Sequence, residues 1–230
     1  MIDPIVHSTS PVTLVGAGEA TPQDLQNSLT IAPTCVVADS GAALALSEGV
    51  EIAALIGDFD SVTPDVLANI PVDRQHRIAE QTSTDFEKAL TRIAAPLVVG
   101  VGFLGGRIDH QLAVFHTLVA HPDRPCVLLG PHEVVCLAPP EIDLPLEDGE
   151  LVSLFPMGAV TGRSAGLNWP IEGLSFSPSS RIGTSNRALG DVSLEMDRPD
   201  MLLILPRRLM PALVQWFSRQ DCARWPFRAK

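Results

Sequence analysis

Over residues 1–138, short β-branched apolar runs take turns with helical patterns, and beyond residue 140 the helical periodicity stops. This change of period constrains the fold most strongly, because strand and helix in alternation build a covered parallel sheet, whereas closely spaced strands alone build antiparallel layers. Candidate strands in the first part are Val12 to Val15, Cys35 to Ala38, Ile52 to Ile56, Leu97 to Val101 and Cys126 to Leu129, with a weaker one at Arg77 to Ala79. Candidate helices follow Pro22, Gly41, Pro64, Thr84 and Gly106. Around APPEIDLPL (138–146) the composition turns to proline and acid. The runs LVSLF, AVTG, GLSF and MLLILP then follow at intervals typical of an antiparallel β module. The expected fold class is an α/β N-terminal domain with a mostly parallel sheet, residues 1–139, followed by an all-β antiparallel C-terminal domain, residues 140–230.

Two helices are sharply patterned. After Thr84, the residues Phe86, Ala89, Leu90 and Ile93 form one apolar stripe, and Thr84 and Glu87 have capping-box spacing. After Gly106, Ile108, Leu112, Phe115 and Val119 are expected to face inward, with Arg107, Asp109 and His110 in the first turn.

Charge narrows the partners. The chain carries 16 basic and 27 acidic residues, a net −11, which repels nucleic acid and anionic membranes and leaves any phosphate ester in need of a metal ion. No apolar run approaches the ~20 residues that span a bilayer, and the start, MIDPIVHSTS, lacks a basic and apolar leader pattern. Cys35, Cys126, Cys136 and Cys222 are too dispersed for a zinc cluster and read as free thiols of a reducing compartment, so cytoplasm is expected. One region departs from the bulk charge: residues 207–230 hold six basic residues and one acid, a local +5, and are expected to pack on the acidic body or on a partner subunit.

In a parallel sheet, ligands collect at the carboxyl ends of strands, so those positions carry the chemistry. Here they are Gly16-Ala17-Gly18-Glu19, Asp39-Ser40-Gly41, GDFDS (57–61) and GFLGGR (102–107). Asp58 and Asp60, two apart after a strand, project to one side if the chain stays extended, and such a pair repels unless a cation joins it. Mg²⁺ is the expected cation; the alternative is a turn whose Asp and Ser side chains cap the next helix. The glycines Gly105 and Gly106 let backbone N–H groups approach an anion, and Arg107 can grip phosphate with its planar fork. The alternative there is a plain glycine turn with Arg107 on a surface carboxylate. Lys88, the only internal lysine, reads either as an i,i+3 ion pair with Asp85 or as a phosphate ligand. Gly16-Ala17-Gly18 with Asp39 echoes a dinucleotide-binding fingerprint, but Thr21 stands at the third glycine position and Pro22 follows.

The ordered set DSG (39–41), GDFDS (57–61), QTSTDFEKAL (81–90), GFLGGRIDHQLA (102–113), GLNW (166–169) and TSN (184–186) resembles the thiamine pyrophosphokinase family. The resemblance implies a nucleotide domain followed by a β-sandwich domain, a homodimer with active sites between subunits, and the Mg²⁺-dependent reaction of ATP with thiamine to give thiamine diphosphate and AMP. It implies that Asp58, Asp60 and Asp85 are the metal and catalytic carboxylates. Asp39, Lys88, Gly105, Gly106, Arg107, Asp109 and His110 then lie along the nucleotide, and Gln81, Trp169, Ser185 and Asn186 face thiamine. Thr82 stands where the family usually carries Asp, and Ala43 where it usually carries Asn. Those departures leave a non-catalytic nucleotide- or thiamine-binding homologue as the alternative, with a dinucleotide-dependent oxidoreductase behind it. Without the resemblance, Trp169 reads as a core residue and Thr184 to Asn186 as an ordinary turn.

Overall fold

The structure, a computed structural model, describes residues 2–228. The chain divides into two compact units, one formed by the chain up to Thr117 with Leu128–Pro131, the other by Leu118–Val127 and the chain from His132 onward. The division lies earlier than residue 140, because the strand at Glu133–Leu137 pairs antiparallel with Met201–Pro206 and so belongs with the later strands.

In chain order the first unit carries β1 (Val6–His7), β2 (Val12–Val15), α1 (Pro22–Ile31), β3 (Thr34–Ala38), α2 (Ala42–Ser47), β4 (Ile52–Gly57), α3 (Pro64–Ala68), β5 (Gln75–Arg77), α4 (Asp85–Leu90), β6 (Ile93–Ala94) and β7 (Val98–Val101). Helix α5 (Ile108–Ala120) and strand β8 (Cys126–Leu129) follow. The pairings β1 with β6, β2 with β7, β3 with β4 and β4 with β5 are all parallel. Every residue of β2 and β7 is buried, the run-on apolar pattern of strands covered on both faces. Val15, Leu25, Val37, Ala45 and Leu55 form the core between strands and helices.

Helices α1, α3 and α4 start where a threonine side chain accepts from an N–H of the first turn. Thr21 accepts from Asp24 N while Asp24 accepts from Thr21 N, a complete capping box with Pro22 behind it. Thr84 caps α4 by accepting from Glu87 N at 3.3 Å. Strand β5 lies two residues earlier than its expected start at Arg77. Helix α5 meets its expected inward face only in its later turns: Ile108 and Leu112 are 74% and 59% exposed, Phe115 is half-buried, and Val119 is buried as expected, together with Val114, Thr117 and Leu118. The whole first turn is solvated, so burial begins only at Val114.

The second unit carries β9 (Glu133–Leu137), β10 (Glu141–Leu144), β11 (Leu151–Pro156), β12 (Val160–Leu167), β13 (Ser175–Phe176), β14 (Gly183–Met196), β15 (Met201–Pro206) and α6 (Met210–Phe217). Among the described residues, β9 to β15 pair with one another antiparallel. The organising element is β14. Its start pairs with β11, and from Ala188 onward it pairs with β12, with β10 along Val192 to Glu195. Buried Ala188, Val192, Leu194 and Met196 give that half a period of two.

Residues 207–228 complete this unit. Met210, Leu213, Val214 and Phe217 of α6 are buried, Trp225 Nε1 donates to Ala138 O at 2.8 Å, and Arg228 pairs with Asp200 at 3.0 Å. Arg208 forms a two-pronged ion pair with Glu150. The basic segment therefore folds onto carboxylates of its own unit.

Candidate active site

Two strand ends of the first unit, those of β3 and β4, bring the carboxylates together. After β3 the chain turns through Asp39 with φ +43°, and Gly41 follows because any Cβ there would collide with Val15 O at the end of β2. After β4, Gly57 leaves room for Asp39: a Cβ would lie 3.0 Å from its Oδ1. Phe59 then adopts φ +69°, a conformation a bulky residue takes only where its surroundings enforce it. Its N–H donates to Asp39 Oδ1 at 3.0 Å, which ties the two loops together. Asp60 N donates back to Asp58 Oδ1 at 3.2 Å.

As a result Asp39, Asp58 and Asp60 each offer a carboxylate oxygen within 4.8 Å of the others. Asp39 and Asp58 are 3% and 7% exposed, and Asp60 is open to solvent. Asp85 is not in this group; its Oδ1 accepts from Lys88 Nζ at 3.0 Å. Asp39, expected near the nucleotide, thus stands with Asp58 and Asp60, while Asp85 is paired with Lys88. The sequence signal was the strand end itself, and the shift comes from Phe59, whose inverted backbone aims its N–H at Asp39.

Electrostatics separate the acids. Burial, then the charges of Asp85 and Asp58, push the Asp39 carboxyl above its ordinary pKa. Asp58 is held down at about 2, chiefly by the bond from Lys88. Its Oδ2 accepts from Lys88 Nζ at 2.7 Å and from Gln81 Nε2 at 3.1 Å. Lys88 is buried, which works against its charge, but Asp58 and Asp85 outweigh this and raise its pKa. Gln81 and Lys88, expected to face thiamine and phosphate, are thus engaged with Asp58.

Among the described residues, Asp39 Oδ2 is one of three buried side-chain oxygens or nitrogens without a hydrogen-bond partner. An orphaned buried carboxylate oxygen beside two further carboxylates, all of them hard donors, fits Mg²⁺.

The glycine loops have distinct uses. Gly18 N donates to Gly102 O at 2.7 Å and Glu19 N to Leu104 O at 3.2 Å, extending the β2–β7 pairing into the loops. A Cβ on Gly16 or Gly18 would press on Gly102 O at 2.7 Å, so these glycines serve close backbone approach. With the capping box at Thr21, they do not form a dinucleotide-binding turn. Gly105 and Gly106 have φ +77° and +70°, as the expected anion-binding turn needs. Gly106 N donates to Glu19 Oε1 at 3.3 Å, so a carboxylate holds the place expected for phosphate. In the sequence, the one signal for such a part played by Glu19 is its position just after β2. Arg107 and Asp109 form a bidentate pair at 3.1 and 2.5 Å in which both are exposed, and His110 is exposed beside them. Phe103 packs at a tilt of 54° against Phe86 of α4 with ring centroids 4.6 Å apart, joining this loop to the Asp85–Lys88 helix.

Glu80 was also unassigned. It accepts from Thr82 N and Oγ1 and from both the N–H and hydroxyl of Ser83, which lowers its pKa to about 2. Thr82, the departure from the family pattern, thereby orders the loop that carries Gln81.

In the second unit Trp169 is 57% exposed and not a core residue. Asn186 is buried and fixes it from behind: Nδ2 donates to Trp169 O at 2.7 Å, and Oδ1 accepts from Trp169 N at 3.1 Å. Thr184 to Asn186 is not a turn. It lies in β14 at a register shift against β11, with Ser185 at φ +64° and its N–H on Ser153 Oγ at 2.9 Å. Such a bulge re-aims a side chain without ending the strand.

Comparison with known proteins gives concordant matches. Residues 25–128 match the family model described as "Thiamin pyrophosphokinase, catalytic domain", and residues 140–200 match "Thiamin pyrophosphokinase, vitamin B1 binding domain". Thiamine pyrophosphokinase 3 of Oryza sativa subsp. japonica is 31% identical over 153 residues, 56% of either chain. Thiamine pyrophosphokinase 1 of Arabidopsis thaliana is 28% identical over 152 residues, again 56% of either chain. The chain thus spans about half the length of the curated relatives it matches. Among solved structures, thiamin pyrophosphokinase from Geobacillus thermodenitrificans superposes with a TM-score of 0.70 at 22% identity, over 92% of this chain and 99% of that one. The enzyme from Candida albicans gives 0.71 at 14% identity, over 89% and 93%. At these identities the structures establish a shared fold.

Proposed function

From the premise that the chain belongs to the thiamine pyrophosphokinase family, we propose that it transfers the pyrophosphoryl group of ATP to the hydroxyl of thiamine, giving thiamine diphosphate and AMP. The observation that carries this reading is the convergence of Asp39, Asp58 and Asp60 within 4.8 Å in the part matched as the catalytic domain. The thiamine-facing role of Trp169, Ser185 and Asn186, the sandwich-like arrangement of the second unit, a homodimer and a cytoplasmic location belong to the same reading. Among the described residues no helix is long and apolar enough to cross a membrane.

Asp39, Asp58 and Asp60 would hold Mg²⁺, which when bound neutralises charge on the triphosphate. The rest falls to the chain's own groups, in a reaction governed by positioning and electrostatics. The hydroxyl oxygen of thiamine bonds to the β-phosphorus, the bond from that phosphorus to the α-phosphate oxygen breaks, and AMP leaves with the electron pair. The hydroxyl proton passes to Asp85, which is part-exposed and keeps one oxygen clear of Lys88. Arg107 exchanges Asp109 for phosphate oxygens, and the Gly106 N–H exchanges Glu19 for another. Trp169 offers an open ring face to the flat, cationic thiamine.

Purified protein with thiamine, ATP and Mg²⁺ is expected to release AMP, and Asp58→Asn to stop turnover while remaining folded. Release of ADP, or binding of both substrates without AMP, would contradict the assignment, the latter in favour of a non-catalytic binding protein.

A further inference from the structure

We infer that Lys88 is the built-in counter-ion of the carboxylate group, holding Asp58 and Asp85 in place before a divalent cation arrives and setting how tightly that cation binds. The inference rests on the metal-dependent reading above. The side chain of Lys88 is 2% exposed, among the largest fully buried in the chain. Its ammonium is closed on Asp58 Oδ2 at 2.7 Å and Asp85 Oδ1 at 3.0 Å, with Gln81 Nε2 on the same Asp58 oxygen. A lysine directed at phosphate presents its charge to the ligand, whereas this one faces two carboxylates from within the fold.

Residue choice points the same way. The chain has 14 arginines and two lysines, the other being the terminal Lys230. An arginine's planar fork suits a solvent-facing carboxylate or phosphate, while a compact ammonium with three donors fits between buried Asp58 and part-exposed Asp85, the latter at an i,i+3 offset. A buried charge rarely adds net stability, so an ammonium here is better explained by what it positions than by what it stabilises. By formal charge Asp39, Asp58, Asp60 and Asp85 sum to −4 and Lys88 reduces this to −3. An incoming divalent cation therefore meets a group already part-neutralised. Loss of that unit of positive charge a few ångströms away strengthens cation binding by about tenfold or more.

The test is Mn²⁺ affinity, read from the free-ion spin resonance signal, together with melting temperature in chelator and in saturating Mn²⁺. Lys88→Met is expected to melt lower than wild type in chelator, to gain more from Mn²⁺ than wild type does, and to bind Mn²⁺ about tenfold tighter. Lys88→Arg, keeping the charge, is expected to bind Mn²⁺ within a few-fold of wild type. Unchanged Mn²⁺ affinity in Lys88→Met, with a raised KM for ATP, would overturn the inference and make Lys88 a phosphate ligand. Absence of Mn²⁺ binding by wild type itself would remove the metal reading and this inference with it. If Lys88→Met does not fold, the double variant Lys88→Met with Asp85→Asn restores the formal charge; it is expected to fold and to bind Mn²⁺ like wild type. Its failure to fold, or an Mn²⁺ affinity unlike that of wild type, would show that restoring the formal charge does not replace the ammonium and would overturn the inference.

Discussion

At the scale of single residues, side chains expected to touch ligands often act on one another first. Asn186 spends both ends of its amide on the backbone of Trp169 and so governs where an exposed ring sits. Asn186→Ala is expected to raise KM for thiamine by about tenfold, the worth of one or two lost hydrogen bonds, and to leave KM for ATP unchanged; steady-state kinetics with each substrate varied would show it, and equal effects on both would argue against it. The cysteines give a second check. Burial pushes the Cys35 and Cys136 thiols to about 12, so neither forms thiolate at neutral pH. Alkylation mapped by mass spectrometry is expected to modify the half-buried Cys222 first and to reach Cys35 and Cys136 only on unfolding. Residue types and their order pointed to the acids, whereas the orphaned oxygen of Asp39 and the inverted backbone at Phe59 were illegible, because both arise from loops 20 residues apart meeting in space.

At the scale of elements, legibility followed how local the determining signal is. Strands β2, β3, β4, β7 and β8 could be read from β-branched runs and the starts of α1, α3 and α4 from Thr and Pro caps, since each is fixed within a few residues. Thr21→Ala, which removes the capping box of α1, is expected to cost about 1 kcal/mol in a denaturant titration. The point at which α5 begins to face inward and the length of β14 could not be read, because the first depends on where the solvated turn ends and the second contains glycines and a polar TSN that mimic a turn. The same elements set an acid limb. Asp58 and Glu80 sit at about 2 against ordinary values of 3.8 and 4.5, so their bonds stabilise the fold above those ordinary values and are lost as pH falls towards 2. Metal-free protein is therefore expected to lose stability between about pH 4.5 and pH 2, and Glu80→Gln to flatten that decline; a stability independent of pH in this window would contradict the hydrogen-bond assignment.

At the scale of the whole molecule, the net charge of −11 divides into +5 over residues 207–230 and −16 over the rest. The basic segment lies on Glu150 and Asp200 of its own unit, and Trp225 is fastened to Ala138. Part of the remaining acidity is gathered at Asp39, Asp58 and Asp60, where a cation has a use. The central claim joins that charge to a reaction, and isotope transfer tests it most directly. With thiamine and Mg²⁺, label in the β-phosphate of ATP is expected to appear in thiamine diphosphate while label in the α-phosphate stays in AMP. Absence of the β-label from the thiamine product, or its retention in ADP, would contradict the account.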